Sequence, residues 1–238
     1  MALKFVIEPP ALPSLPVVGS AERFPVRRVY CVGRNYADHA REMGADPTRE
    51  PPFFFTKPAD AVFAASEGAP GFAPGQVPYP PLTHDLQYEI ELVVAIGGEA
   101  RGVSPEEAMG SVWGYGVGVD LTRRDLQNVA KELRRPWDLS KGFDASGPCS
   151  AILPISSTGH PHAGAIWLSV DGQERQRGDL ADQIWPVADV IAELSSSVAL
   201  RPGDLIFTGT PAGVGPIGRG SHVIGGIDGV AQLDFVLV

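Results

Sequence analysis

Tyr88-Glu89-Ile90-Glu91-Leu92-Val93-Val94-Ala95-Ile96 sets two carboxylates at the head of an apolar run. A run ending in Val-Val-Ala-Ile reads as a buried strand. In a strand, residues i and i+2 share one face, so Glu89 and Glu91 would stand side by side at a nearly dry position. That arrangement is costly unless something cationic lies between them. A hard divalent metal suits it, because Mg²⁺, Mn²⁺ and Ca²⁺ take oxygen ligands. An edge strand with both carboxylates in water is the alternative.

The remaining totals narrow the class. At 238 residues the chain is one large domain, or one domain with a small appendage. A net charge of −9, dispersed along the sequence, argues against a nucleic-acid footprint. A small anionic substrate would therefore need local positive groups or a metal. Cys31 and Cys149 give no disulfide framework and read as reduced, buried thiols of a cytoplasmic protein. The first residues lack the apolar stretch of a signal peptide, and no apolar segment approaches the ~18 residues of a membrane span. The 28 glycines and 23 prolines fit many short strands joined by turns.

Residues 1–25 are proline-rich and read as an arm packed on a main domain over 26–238. Val26–Gly33 predicts a strand, and Asn35 or Asp38 opens a short helix to about Met43. Residues 44–60 read as a long loop around Phe53-Phe54-Phe55. Ser104-Pro105-Glu106-Glu107 has the cap, proline and acids of a helix start. Val112–Asp120 alternates glycine with larger residues, predicting a strand with close backbone neighbours. Thr122 is expected to cap a helix to Leu133. Ala165–Val170 followed by Asp171-Gly172 predicts a hairpin, Val187–Ser197 a helix, Leu205–Phe207 a strand, and Val223-Ile224 a pairing with Ala231–Val238. The sum is a β-dominated α+β domain without regular βαβ alternation.

Asp120 follows an apolar strand and is either a helix cap or a third oxygen ligand beside Glu89 and Glu91. The absence of CxxC and HExxH argues against zinc. His39 and Glu42, at i and i+3, share a helix face; they are a tautomer-fixing pair able to take a proton from water, or ordinary surface charges. Lys141 lies among small residues, where it stabilises an oxyanion or is a solvated loop charge. Thr208-Gly209-Thr210-Pro211-Ala212-Gly213-Val214-Gly215 is similar to an anion-cradling loop, or is a plain glycine-rich turn. His160 and His162 read as a surface loop, and no nucleophile elbow is present.

Together, Cys31-Val32-Gly33-Arg34-Asn35-Tyr36-Ala37-Asp38-His39, Phe55-Thr56-Lys57-Pro58, Glu89-Ile90-Glu91-Leu92, Gly118-Val119-Asp120-Leu121-Thr122-Arg123-Arg124-Asp125-Leu126-Gln127, Lys141-Gly142-Phe143-Asp144 and Thr208–Gly215 resemble, in that order, the fumarylacetoacetate hydrolase family. The resemblance covers about residues 26–238. It implies a mixed β-roll or β-sandwich with flanking helices, a homodimer, and bound Mg²⁺ or Mn²⁺. It implies Glu89, Glu91 and Asp120 as metal ligands and His39 with Glu42 as a water-activating pair on a mobile lid. Lys141 and Gln127 match substrate and oxyanion contacts; Arg34, Arg124 and Thr210 match positions near a substrate carboxylate. The stretch 49–60 and Ile184-Trp185-Pro186-Val187 look most like members that hydrolyse fumarylpyruvate in gentisate breakdown. The implied reaction is C–C hydrolysis of a 2,4-dioxo acid. An oxaloacetate-type decarboxylase, an acylpyruvate hydrolase, a dioxo-acid isomerase, or a non-catalytic metal-stabilised binding protein stand as alternatives.

Overall fold

The computed structural model describes residues 4–42 and 51–238. The predicted strand is Ile90–Ile96, buried throughout. It runs through an eight-stranded mixed sheet ordered Phe53–Lys57, Arg28–Gly33, Asp204–Phe207, Ile90–Ile96, Val112–Val119, Gly147–Cys149 and Val62–Ala64, with Leu153–Pro154 added against Val112–Val119. Asp204–Phe207 runs parallel to Arg28–Gly33 and antiparallel to Ile90–Ile96. The sheet is covered on both faces, which is why its central strand is continuously apolar from Leu92 to Ile96 rather than alternating.

Pleat parity divides that strand between two cores. Ile90, Leu92, Val94 and Ile96 join the larger one, with Leu168, Val223 and Phe235 of a five-stranded sheet and Val190, Ile191 and Leu194 of the helix Val187–Ser197. Val93 and Ala95 join the smaller one with Leu15, Phe24, Cys31 and Phe207. Leu15 and Phe24 come from a hairpin, Ser14–Pro16 with Arg23–Pro25, so part of the expected arm is built into the fold. Both cysteines are buried and unpaired. Among the described residues no helix is long and apolar enough to cross a membrane.

Most expected elements form. Asp171 and Gly172 turn with positive φ between Ala165–Val170 and Gln173–Asp179, and His222–Ile227 pairs antiparallel with Ala231–Leu237. Ser104 and Glu107 form a reciprocal capping box. Two expectations fail. Phe53-Phe54-Phe55 is not in a loop: Phe53–Lys57 pairs with Arg28–Gly33 as the edge strand of the sheet, the ladder taking up one side of its backbone. Thr122 does not cap the following helix, which runs Arg124–Glu132; Thr122–Arg123 pairs with Leu86–Tyr88, and the Thr122 hydroxyl turns inward to the Asp120 carbonyl, 3.2 Å. The expected loop over 44–50 and the Met43 end of the first helix lie outside the described residues.

Candidate active site

Ladder register assembles the acidic centre. Ile90 faces Val119, Glu91 faces Gly118, and the Asp120 amide donates to the Glu89 carbonyl at 2.8 Å, so Glu89 and Asp120 stand opposite one another just beyond the paired strands. Gly118 carries no side chain beside Glu91; a Cβ there would fall 2.6 Å from the Phe207 ring. One oxygen each from Glu89, Glu91 and Asp120 lies within 4.8 Å of the others, with all three residues buried.

Three cations balance them. The Lys141 ammonium donates to Glu89 Oε2 at 2.8 Å, Asp120 Oδ2 at 2.6 Å and Thr122 Oγ1 at 2.7 Å. Lys141 is not a solvated loop charge: it ends the short helix Asp138–Lys141 and is 2 % exposed. Lys57 Nζ lies 2.8 Å from Asp120 Oδ1 but is not aligned to donate to it, which leaves that oxygen without a hydrogen bond. Arg124 donates to Glu89 Oε1, to Gln87 Oε1 at 2.8 Å and to Gln127 Oε1 at 2.5 Å.

The carboxylates differ in charge state because their neighbours differ. Burial alone would raise Glu89, but Lys141, Arg124 and His39 overrule it and hold its pKa well below the ordinary range. Glu91 is pushed well above that range by burial and by the Asp120 and Glu89 carboxylates; Lys141 and the Gly209 amide, 2.7 Å from Glu91 Oε2, only partly offset this. For Lys141, burial works against the charge, and Asp120 and Glu89 more than restore it. Three buried carboxylates, one pressed into its protonated form and one with an oxygen lacking a hydrogen bond, fit a hard divalent cation.

His39 is buried in the helix Ala37–Glu42, its Nδ1 3.3 Å from Glu42 Oε2. Burial lowers its pKa, opposed by Glu89 and Glu42, which favours the neutral imidazole. The loop after Asp204–Phe207 does cradle anions with backbone N–H groups, but they are the protein's own: Gly209 N holds Glu91, and Gly213 N lies 3.3 Å from Glu42 Oε2. Gly209, at φ +94, leaves no room for a side chain, since its Cβ would meet Asn35 Cβ at 2.7 Å.

One pocket unites the set. Its lining includes His39, Glu89, Glu91, Lys141, Arg34, Arg124, Gln127 and Thr210, walled by Phe53, Phe55 and Trp137. Glu42 and Asp120 stand behind it, against His39 and Lys141. Arg34 has φ +59 and places its guanidinium 5.5 Å from the Phe53 ring centroid. His160 takes no part; its Nδ1 meets the Tyr115 hydroxyl at 2.7 Å.

Four residues of the site escaped the sequence reading. Lys57 stood in the motif Phe55-Thr56-Lys57-Pro58 with no role assigned to it. Asn35 is fully buried, donating to Trp185 O and Thr208 O at 2.9 and 2.8 Å and accepting from Trp185 N at 2.7 Å; it ties the base of the His39 helix to the glycine loop. Gln176 accepts from Ile90 N at 3.1 Å and donates to Thr210 Oγ1 at 2.8 Å, fixing the backbone between the two glutamates. Lys131, at the outer part of the pocket wall, follows Gln127 by four residues on the same helix, a spacing that could have found it.

Comparison with known proteins gives a consistent picture. The family model for the fumarylacetoacetate (FAA) hydrolase C-terminal region matches residues 28–237. The crystal structure of the Pseudomonas aeruginosa fumarylpyruvate hydrolase in complex with Mn²⁺ and pyruvate is 51% identical, covers 99% of both chains and superposes with a TM-score of 0.94. That of a candidate fumarylpyruvate hydrolase from Burkholderia cenocepacia is 59% identical over 100% of this chain and 96% of the other, TM-score 0.90. The mitochondrial oxaloacetate tautomerase FAHD1 of Bos taurus is 41% identical over 88% of this chain and 90% of its own.

Proposed function

The chain belongs to the fumarylacetoacetate hydrolase family, and from that premise we propose that it is a metal-dependent hydrolase cleaving a C–C bond of a 2,4-dioxo acid, converting fumarylpyruvate to fumarate and pyruvate. The observation that carries the reading is one pocket lined both by a neutral, carboxylate-paired histidine and by Glu89 and Glu91 of a three-carboxylate cluster.

Glu89, Glu91 and Asp120 would hold Mg²⁺ or Mn²⁺, and the ion when bound supplies Lewis acidity toward the oxygens of a 1,2-oxo acid. His39, with Glu42 fixing its tautomer through Nδ1, takes a proton from water at Nε2. The hydroxide so formed attacks the C4 carbonyl. Lys141 and Gln127 donate to the oxygen that gains charge. The C3–C4 bond then breaks: the hydroxyl oxygen stays with the new carboxylate, and C3 regains a proton to give pyruvate. Arg34, Arg124 and Thr210 orient the substrate's carboxylates. A carbanion is a poor leaving group, which explains why so much positive charge converges on a small pocket.

The likeness to an oxaloacetate tautomerase favours a second reading, in which the same base moves a proton at C3 of oxaloacetate without bond cleavage. Absorbance of the enolised dioxo acid, followed with fumarylpyruvate and with oxaloacetate, separates them: the first reading expects loss of the band with release of pyruvate, the second only keto–enol exchange. A homodimeric, cytoplasmic enzyme of gentisate-type aromatic breakdown completes the proposal, resting on the motif resemblance and the buried reduced thiols. Sedimentation at a mass other than that of a dimer would remove the dimer from it.

A further inference from the structure

The helix Arg124–Glu132 carries Arg124, Gln127 and Lys131 at i, i+3 and i+7, one stripe facing one pocket. Arg124 and Gln127 are engaged with Glu89 and with each other. Lys131 is not so engaged. It is half-buried, its ammonium 5.4 Å from the Trp137 ring centroid, and among the described residues no carboxylate lies within ion-pair distance of it. Arg134 and Arg135 follow just beyond the end of its helix, and Arg34 lines the same pocket. Burial, reinforced by Arg124 and Arg34 and only partly offset by Glu89, lowers its pKa to about 8. A cation drawn from water toward other cations, with no carboxylate paired to it, is unfavourable alone and favourable once an anion enters.

We propose that Lys131 binds the distal carboxylate of the substrate and makes the pocket selective for dianionic dioxo acids. The inference rests on the hydrolase reading and specifies which 2,4-dioxo acids it accepts. Seven helical residues separate the level of Arg124, at the acidic centre, from that of Lys131, about 10 Å along the axis. A seven-carbon chain of six bonds of about 1.5 Å spans about 8 Å when extended. Side-chain reach covers the remainder. A dioxo diacid of fumarylpyruvate length joins the two ends of the stripe; four-carbon oxaloacetate does not.

The test compares fumarylpyruvate with acetylpyruvate, which shares the 1,2-oxo acid end and lacks the second carboxylate. In Lys131→Met the ratio of kcat/KM for fumarylpyruvate over acetylpyruvate should fall about tenfold to a hundredfold, the loss lying in KM, and Lys131→Arg should restore most of it. An unchanged ratio in Lys131→Met would overturn the proposal. Should the wild type turn over neither substrate, the hydrolase reading fails by itself. Calorimetry with fumarate and with its monocarboxylate analogue crotonate then decides: a fumarate preference of the wild type that Lys131→Met abolishes supports the subsite, and equal affinities in the wild type refute it.

Discussion

Replacing Glu91 by Gln probes the acidic centre most sharply, because the two side chains share a shape and differ in the proton. Burial together with Asp120 and Glu89 holds Glu91 protonated well above the ordinary carboxylate range of about 4.5 in the metal-free protein. A divalent ion needs the carboxylate, so binding must expel that proton. Wherever metal-free Glu91 keeps its proton, Mn²⁺ affinity should rise about tenfold per pH unit, about 1.4 kcal/mol each, with about one proton released per ion. Calorimetry in two buffers of different ionisation enthalpy measures that proton directly. In Glu91→Gln the release should vanish and affinity should drop by at least tenfold to a hundredfold. The stability sign follows from the same shift. A raised folded-state pKa contributes stability fully present below the unfolded value of 4.5 and lost as pH rises through the folded one. Metal-free wild type should therefore lose thermal stability with rising pH over a range where Glu91→Gln does not. Wild-type binding without proton release, or unchanged Mn²⁺ affinity in Glu91→Gln, would refute the reasoning.

Lys141→Met removes an ammonium lodged between Glu89 and Asp120; kcat should fall by about 10² to 10³ while Mn²⁺ binds as tightly or more tightly, so near-normal turnover would remove Lys141 from the chemistry. His39→Gln should lower kcat by about 10² to 10⁴ with metal binding intact. In the wild type, because burial lowers the His39 pKa below 6.5, the base stays neutral and the acid limb of kcat/KM should lie below that value; a limb above it would contradict the assignment. Gly209→Ala forces a Cβ into Asn35 at φ +94 and should destabilise the fold by about 1–3 kcal/mol, read as a shift in denaturant midpoint.

What the sequence disclosed depended on how local the cause was. The Glu89–Glu91 spacing was legible because strand parity is local, and the alternating glycines before Asp120 announced the close strand pairing that sets it opposite Glu89. The helix Val187–Ser197 could be read from its apolar face alone. Thr122 misled because its hydroxyl serves a centre completed by Lys141, nineteen residues on, and not the helix it precedes. Phe53–Phe55 misled because flanking prolines outweighed an apolar run whose pairing partners lie 20 to 24 residues earlier. Asn35 and Gln176 stayed invisible for the same reason: their importance lies in backbone groups brought to them by the folded chain. The His39–Glu42 spacing suggested a pair, but only the burial of His39 distinguishes it from surface charges.

The central claim is metal-dependent carbon–carbon hydrolysis at the Glu89–Glu91–Asp120 centre. Steady-state turnover of fumarylpyruvate, measured as pyruvate released before EDTA, after it, and after Mn²⁺ is restored, tests it most directly. EDTA should abolish the release and Mn²⁺ should recover it. Release that persists in EDTA, or none from fumarylpyruvate in the Mn²⁺-loaded protein, would contradict it.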